Sequence, residues 1–158
     1  MLIAQSFKEL AHEKNITMHI VKIDDVYIDF SVDAFEKVLL NLLSNALKYA
    51  KSGGKIKVSN LEHGDKQIQI KVQDTGLGIP KDKQQSVFER YNRVLDEHSE
   101  KITVAGICLS LVKELVEVHQ VTVELESKLC VGSTFILTLI SIYSFFSLSP
   151  TFFNIFLL

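Results

Sequence analysis

The chain has 158 residues, with 17 Lys and Arg against 19 Asp and Glu, a net charge of -2 and 47% hydrophobic residues. A single domain of this size buries roughly 70% of its unfolded surface, so a core forms without disulfide staples. The slightly acidic balance excludes the basic footprint of a nucleic-acid binder, and two cysteines in no motif, Cys108 and Cys130, fit a reduced, cytoplasmic setting.

In chain order, residues 3–14 are predicted helix, with Phe7, Leu10 and Ala11 on one side. Thr17 to Ile23 and Val26 to Val32 are predicted strands, the second because it alternates apolar and polar residues. Asp33 is placed to cap the next helix, with Glu36 three residues on completing a capping-box pattern. That helix runs to about Ala50, where Ser52-Gly53-Gly54 ends it and glycine suits a left-handed C-terminal position. Lys55 to Asn60 and Gln67 to Asp74 are strands joined at a hairpin-like His63-Gly64-Asp65. Gly76, Gly78 and Pro80 mark a loop, and Asp82 to about Tyr91 a short helix. Asn92 to Thr103 is polar without periodicity and reads as a loop. Ile107 to His119 is an amphipathic helix through Leu109, Leu111, Val112, Leu115 and Val116. Val121 to Glu126 and Thr134 to Ile140 close the pattern as strands. Strand pairs alternating with helices indicate an α+β, two-layer sandwich.

The far end has no charged residue after Lys128. Residues 136–158 are long and apolar enough to raise a membrane span, but 134–140 read as a strand, Pro150 interrupts the rest and no Lys or Arg flanks it. The expected organisation is therefore a helix remnant and junction over 1–14, one domain over 15–140, and an apolar, poorly structured or non-native tail over 141–158. Membrane contact by the domain is not expected.

Within the long helix, Phe35, Val38, Leu39, Leu42, Leu43, Ala46, Leu47 and Ala50 form one apolar face. Lys37, Asn41, Asn45 and Lys48 share another, because residues three or four apart stack. An amide oxygen can ligate a hard cation and a lysine can meet a phosphate, whereas the plain alternative is local hydrogen bonding on a half-buried helix. Asp74 stands at the end of a strand before Thr75-Gly76-Leu77-Gly78-Ile79-Pro80. An ionised carboxylate there accepts hydrogen bonds only, as reading an amino group such as that of adenine requires. The glycines allow close approach of backbone, and the alternative is a tight turn with an Asx contact. Val104 to Ser110 leads into a helix whose free N–H groups suit phosphates, with Gly106 alone supplying backbone freedom. Gly132-Ser133-Thr134 is a turn into a strand.

Taken in this order, the segments resemble the ATP-binding catalytic domain of sensor histidine kinases, of the hybrid two-component type. That domain belongs to the ATPase superfamily shared with gyrase, heat-shock chaperones and mismatch-repair ATPases. The resemblance covers about Phe7 to Leu139. Phe35 to Tyr49 is similar to the family's N box, Asp74 to Pro80 to its G1 box, Val87 to Val94 to its F box, Gly106 to Lys113 to its G2 box and Gly132 to Phe135 to its G3 turn. The resemblance implies a mixed, mostly antiparallel sheet with helices on one face, and ATP and Mg²⁺ as cofactors. It implies Asn45 as the Mg²⁺ ligand, Asn41 near the phosphates, Lys48 neutralising phosphate charge and Tyr49 near adenine. Asp74 would accept the adenine amine, Gly76 and Gly78 would admit the base, and Arg93 would approach the terminal phosphate. Ile79, Tyr91, Gly106, Leu109, Ser110 and Thr134 complete the implied nucleotide contacts, with 92–103 as the lid. Asn41, Lys48 and Arg93 are the implied catalytic residues.

The implied activity is phosphoryl transfer from ATP to a histidine of a dimerisation domain outside this chain, with a response regulator as the further partner. Hydrolytic relatives carry Glu where this chain has Asn41, and an amide cannot take a proton from water at neutral pH, so transfer is favoured over hydrolysis. Three departures keep a second reading open, that of a degenerate interaction module from a truncated gene. Val104 and Cys108 stand where the family prefers Gly, Val121 does the same after the last helix, and none of His12, His19, His63, His98 or His119 has an acceptor context.

Overall fold

The computed structural model describes residues 2–21, 27–28, 30–62, 67–89, 109–140 and 153–154. In chain order the elements are α1 (Leu2–Glu13), β1 (Thr17–Val21), β2 (Tyr27–Ile28), α2 (Val32–Tyr49), β3 (Lys55–Glu62), β4 (Gln67–Asp74), α3 (Leu109–Val118), β5 (Thr122–Lys128), β6 (Gly132–Ile140) and β7 (Phe153–Asn154), with two 3-10 turns at Lys81–Lys83 and Ser86–Phe88. Five strands make one sheet in the order β1-β3-β4-β6-β5, parallel only at β1–β3. Helices α1, α2 and α3 contact its strands and α2 packs on both other helices, so the α+β sandwich expected from the sequence is the observed one. Tyr27–Ile28 and Phe153–Asn154 pair as a separate antiparallel ribbon, so part of the stretch read as a tail is a strand.

The period-2 geometry of β4 sorts its side chains. Ile68, Ile70, Val72 and Asp74 are buried toward the helices, while Gln67, Gln69, Lys71 and Gln73 face the other way. Register carries that stripe onto β6, where Leu139, Leu137, Phe135 and Ser133 stand opposite them. From the helix side, Phe35, Val38, Leu42 and Leu43 fill the layer between. Burying each large apolar side chain contributes about 1.5–3 kcal/mol, which is why this stripe fixes the register. Asp74 is thereby carried to the core side as the last member of an otherwise apolar row.

Several local expectations change. Val32 opens α2 rather than ending a strand, and Ser31 is the N-cap, without a side-chain capping bond. Asp33 lies inside the first turn, where its carboxylate meets Lys37 Nζ at 2.6 Å and favours the positive end of the helix dipole. Leu10 is half exposed; among the described side chains of α1, the one-turn pair Phe7 and Ala11 is buried. The left-handed glycine after α2 is Gly53, beyond an extended Ala50, and its N–H bonds to Asn15 O. Where a helix is expected over 82–91, the described residues to Glu89 form the two 3-10 turns instead. Ser86 Oγ and the Gln84 amide bond nearby carbonyls there, which competes with a regular helix. After α3 the left-handed residue is Gln120, not Val121, whose side chain is buried in the core, so position 121 does not require glycine. His63-Gly64-Asp65 and the loop over 92–103 lie outside the described residues; the flanking strands pair antiparallel as a hairpin requires.

Candidate functional site

The polar stripe of α2 resolves into distinct environments. Asn41 is 1% exposed, and its Nδ2 donates to the Lys37 carbonyl at 2.6 Å, one turn back. Its Oδ1 is buried without a hydrogen-bond partner among the described residues. Asn45 and Lys48 are half-buried, one and two turns further along. Lys48 Nζ lies 5.1 Å from the centre of the exposed Tyr49 ring, within cation–π range. Lys37 is occupied by Asp33 and is not part of this cluster.

The loop after β4 meets the end of that helix. Leu77 N–H donates to Tyr49 O at 3.2 Å. A Cβ on Gly76 would stand well under 3.0 Å from the same carbonyl and 2.7 Å from Asp74 Oδ1, so only glycine fits. Gly78 is left-handed (φ 67), and a Cβ there would collide with Lys128 O. Beyond it, Ile79 N–H donates to Ser127 Oγ at 2.8 Å, and Cys130 N–H donates to Leu77 O at 2.6 Å. The loop is thus held between the last turn of α2 and the β5–β6 turn.

Asp74 is buried, at 6% exposure. Its Oδ1 accepts Gly76 N–H at 2.8 Å, and the Ser133 backbone N–H also bonds the carboxylate. Burial nevertheless dominates those two donors and holds its pKa above the ordinary aspartate value. A carboxylate with two backbone donors, beside a glycine-lined loop, keeps lone pairs that can accept a further N–H.

The remaining predicted residues divide. Ser110 is buried in the first turn of α3 and Leu109 is half-buried beside it. Thr134 sits opposite Gln73 and Glu126, on the sheet face away from Asp74; the β6 residue facing Asp74 is Ser133. Tyr91, Arg93, Val104, Gly106 and Cys108 lie outside the described residues. Sequence reading did not single out Gln84 or Ser127 and placed Ser133 only in the turn over Gly132 to Phe135; their contacts around the loop come from register. Among the described residues no three His, Cys, Asp or Glu side chains gather as a metal site. A divalent cation here would take amide oxygens and a ligand's own phosphates, and the unpartnered Asn41 Oδ1 and half-buried Asn45 suit that donor set.

Residues 30–141 match the family described as Histidine kinase-, DNA gyrase B-, and HSP90-like ATPase. The chain belongs to this family. It is 36% identical over 143 residues to the adaptive-response sensory kinase SasA of Rippkaea orientalis, covering 87% of this chain and 35% of that protein. It is 35% identical over 143 residues to hybrid signal transduction histidine kinase D of Dictyostelium discoideum, covering 87% of this chain and 9% of that protein. The chain therefore spans about a third or less of these two relatives. The nucleotide-free catalytic domain of the histidine kinase ThkA superposes with a TM-score of 0.75 at 20% identity over 88% of each chain. Full-length ShkA in complex with AMPPNP gives 0.75 at 22% identity, over 89% of this chain and 29% of that one. The chain is a histidine-kinase-type ATPase domain, and the reading as a degenerate interaction module is not favoured.

Proposed function

We propose that this chain binds ATP between α2 and the loop after Asp74, and positions its terminal phosphoryl group for transfer to a protein histidine. The observation that carries the reading is the meeting of two distant motifs: the glycine loop docks on the carbonyl of Tyr49 at the end of α2, which supports a site between the buried Asp74 carboxylate and the Asn41–Asn45–Lys48 stripe. Asp74 accepts the adenine amine, and Tyr49 packs near the base. Lys48 offsets phosphate charge as a point cation. Asn45, with Asn41 beside it, would hold Mg²⁺, which neutralises phosphate charge when bound. Leu109 and Ser110 at the start of α3 face the phosphates, and by family resemblance Arg93, Tyr91 and Gly106 join them.

In the transfer, the bond from the γ-phosphorus to its bridging oxygen breaks and ADP leaves with the electron pair. A nitrogen–phosphorus bond forms on the acceptor imidazole, whose ring proton passes to solvent. Asn41 provides no base for water, so hydrolysis stays slow relative to transfer. The acceptor histidine belongs to a helical dimerisation domain outside residues 15–140, and a response regulator receives the phosphoryl group next. A cytoplasmic location suits these partners. No described helix is long and apolar enough to cross a membrane.

Titrating the chain with a fluorescent ATP analogue, with and without Mg²⁺, tests the reading. Micromolar to millimolar binding, strengthened by Mg²⁺ and abolished by Asp74→Asn, is expected. No binding at millimolar nucleotide overturns it.

A further inference from the structure

The inward row that ends β4 continues across two more strands. Asp74 stands opposite Ser133 on β6, and Ser133 opposite Ser127 on β5, so a polar row closes the apolar core at this edge. Ser127 Oγ receives Ile79 N–H at 2.8 Å, lies 2.9 Å from Ser133 Oγ and donates to Gly132 O at 3.0 Å. With Ser133 as the donor of the serine pair, the hydroxyl's one proton and two lone pairs are all used. Gln84, from the segment between the two 3-10 turns, spends both amide protons on carbonyls: Ile79 O at 2.9 Å and Ser127 O at 2.8 Å. The Ile79 residue is therefore gripped at its N–H and at its C=O, by a strand 48 positions away and a turn five positions away.

We infer that Gln84 and Ser127 are positioning residues for the adenine end of the nucleotide site, an inference that rests on the ATP reading above. The physical reason is where the bonds fall. Gln84, Ser127 and Ile79 are half-buried, so water can replace lost partners there and the fold loses little when one is removed. The loop loses more. Its glycines fix no conformation by themselves, and the Ile79 contacts hold its outer half against β5 while Leu77 holds its inner half against α2. Through Ser133, whose backbone also bonds the Asp74 carboxylate, the same cluster fixes where the base acceptor points. Gln84 is specific in this role, since a carboxylate of the same shape would face two carbonyl oxygens with no proton to offer.

Calorimetric titration of the full chain with ADP and with GDP tests this, using Gln84→Glu, Ser127→Ala, their double variant and Ser127→Thr. Gln84→Glu and Ser127→Ala are expected to raise the ADP Kd about tenfold each, the worth of one or two lost hydrogen bonds, and the double variant by less than the product. The preference for ADP over GDP falls with them, Ser127→Thr stays within about twofold of wild type because it keeps the hydroxyl, and the Ile79 amide exchanges faster in Ser127→Ala. A purely structural role would lower the competent fraction and leave its Kd and base preference unchanged; that result, or variants equal to a wild type that binds, overturns this inference alone. A wild type that does not bind ADP overturns the ATP reading with it.

Discussion

Gly76→Ala isolates the steric argument at the centre of the site. The added Cβ would sit 2.7 Å from Asp74 Oδ1 and closer still to Tyr49 O, and Tyr49 O is backbone that no rotamer change can move. Relief requires the loop to lift off α2. That breaks the Leu77 N–H bond to Tyr49 O, worth about 1 kcal/mol, and the Gly76 N–H bond to a buried carboxylate, worth about 1.5–3 kcal/mol. Residual overpacking adds about 1–3 kcal/mol, so the expected loss is about 3.5–7 kcal/mol, a large part of the roughly 5–15 kcal/mol of a typical domain. Gly53→Ala is the matched control. Gly53 is left-handed (φ 77), but nothing lies within 4 Å of its Cβ position, so it loses only the conformational cost of about 1 kcal/mol. Urea denaturation at constant m-value reads both. Gly76→Ala within about 1 kcal/mol of wild type, or costing less than Gly53→Ala, refutes the docking of loop on helix.

Cys130 holds φ 65 with a Cβ, at a cost of about 1–2 kcal/mol, against about 0.4–1 kcal/mol of extra unfolded freedom for glycine; Cys130→Gly should therefore raise stability by up to about 1.6 kcal/mol in the same urea assay. A lower midpoint would show the thiol making compensating contacts. Burial raises the Asp74 pKa, so the folded state binds that proton more tightly than the unfolded state. The resulting stability is fully present below the unfolded carboxylate's pKa and is lost as pH rises through the folded one. Asp74→Asn should thus be more stable than wild type at neutral pH, with the gap closing in acid; a pH-independent gap in urea midpoints contradicts this. Asn41→Leu removes a buried unpartnered acceptor worth about 1–3 kcal/mol and one side-chain bond of about 1 kcal/mol, so the fold should be equal or more stable by up to about 2 kcal/mol while phosphoryl transfer is lost. Thermal melts and an autophosphorylation assay with a supplied acceptor domain separate the two effects.

How much of this was legible beforehand depended on whether the signal was periodic. β4 matches Gln67–Asp74 as read, because strict alternation leaves one register, and α2 was visible in its apolar stripe. The start of α2 was misread because Asp33 has the chemistry of a cap, yet the core needs Ala34 and Phe35 already helical, which moves the cap back to Ser31. The helix expected over 82–91 failed because Gln84 and Ser86 spend their side chains on nearby carbonyls instead of facing outward. The motif residues Asp74, Gly76 and Asn41 could be picked from the chain. Ser127 could not, and Ser133 was visible only as part of a turn, since their place beside Asp74 exists only once β6 pairs with both β4 and β5.

The site also collects features that work against stability. Asp74 keeps an ionisable group buried with too few donors, Asn41 keeps an acceptor buried with none, and Cys130 holds a side chain in a left-handed turn. All three border α2 or the loop that docks on its end, whereas the sheet interior from Ile68 to Val72 and Leu137 to Leu139 follows the apolar pattern. Two of the three costs fall on the groups that a nucleotide would complete: an amine donor for the carboxylate and a cation for the amide oxygen. A scaffold serving only as a contact surface would be relieved by Asn at 74 or Leu at 41, each one substitution that the packing tolerates. Binding a nucleotide would offset these two costs, at the Asp74 carboxylate and the Asn41 amide oxygen, where no substitution of the scaffold alone is needed.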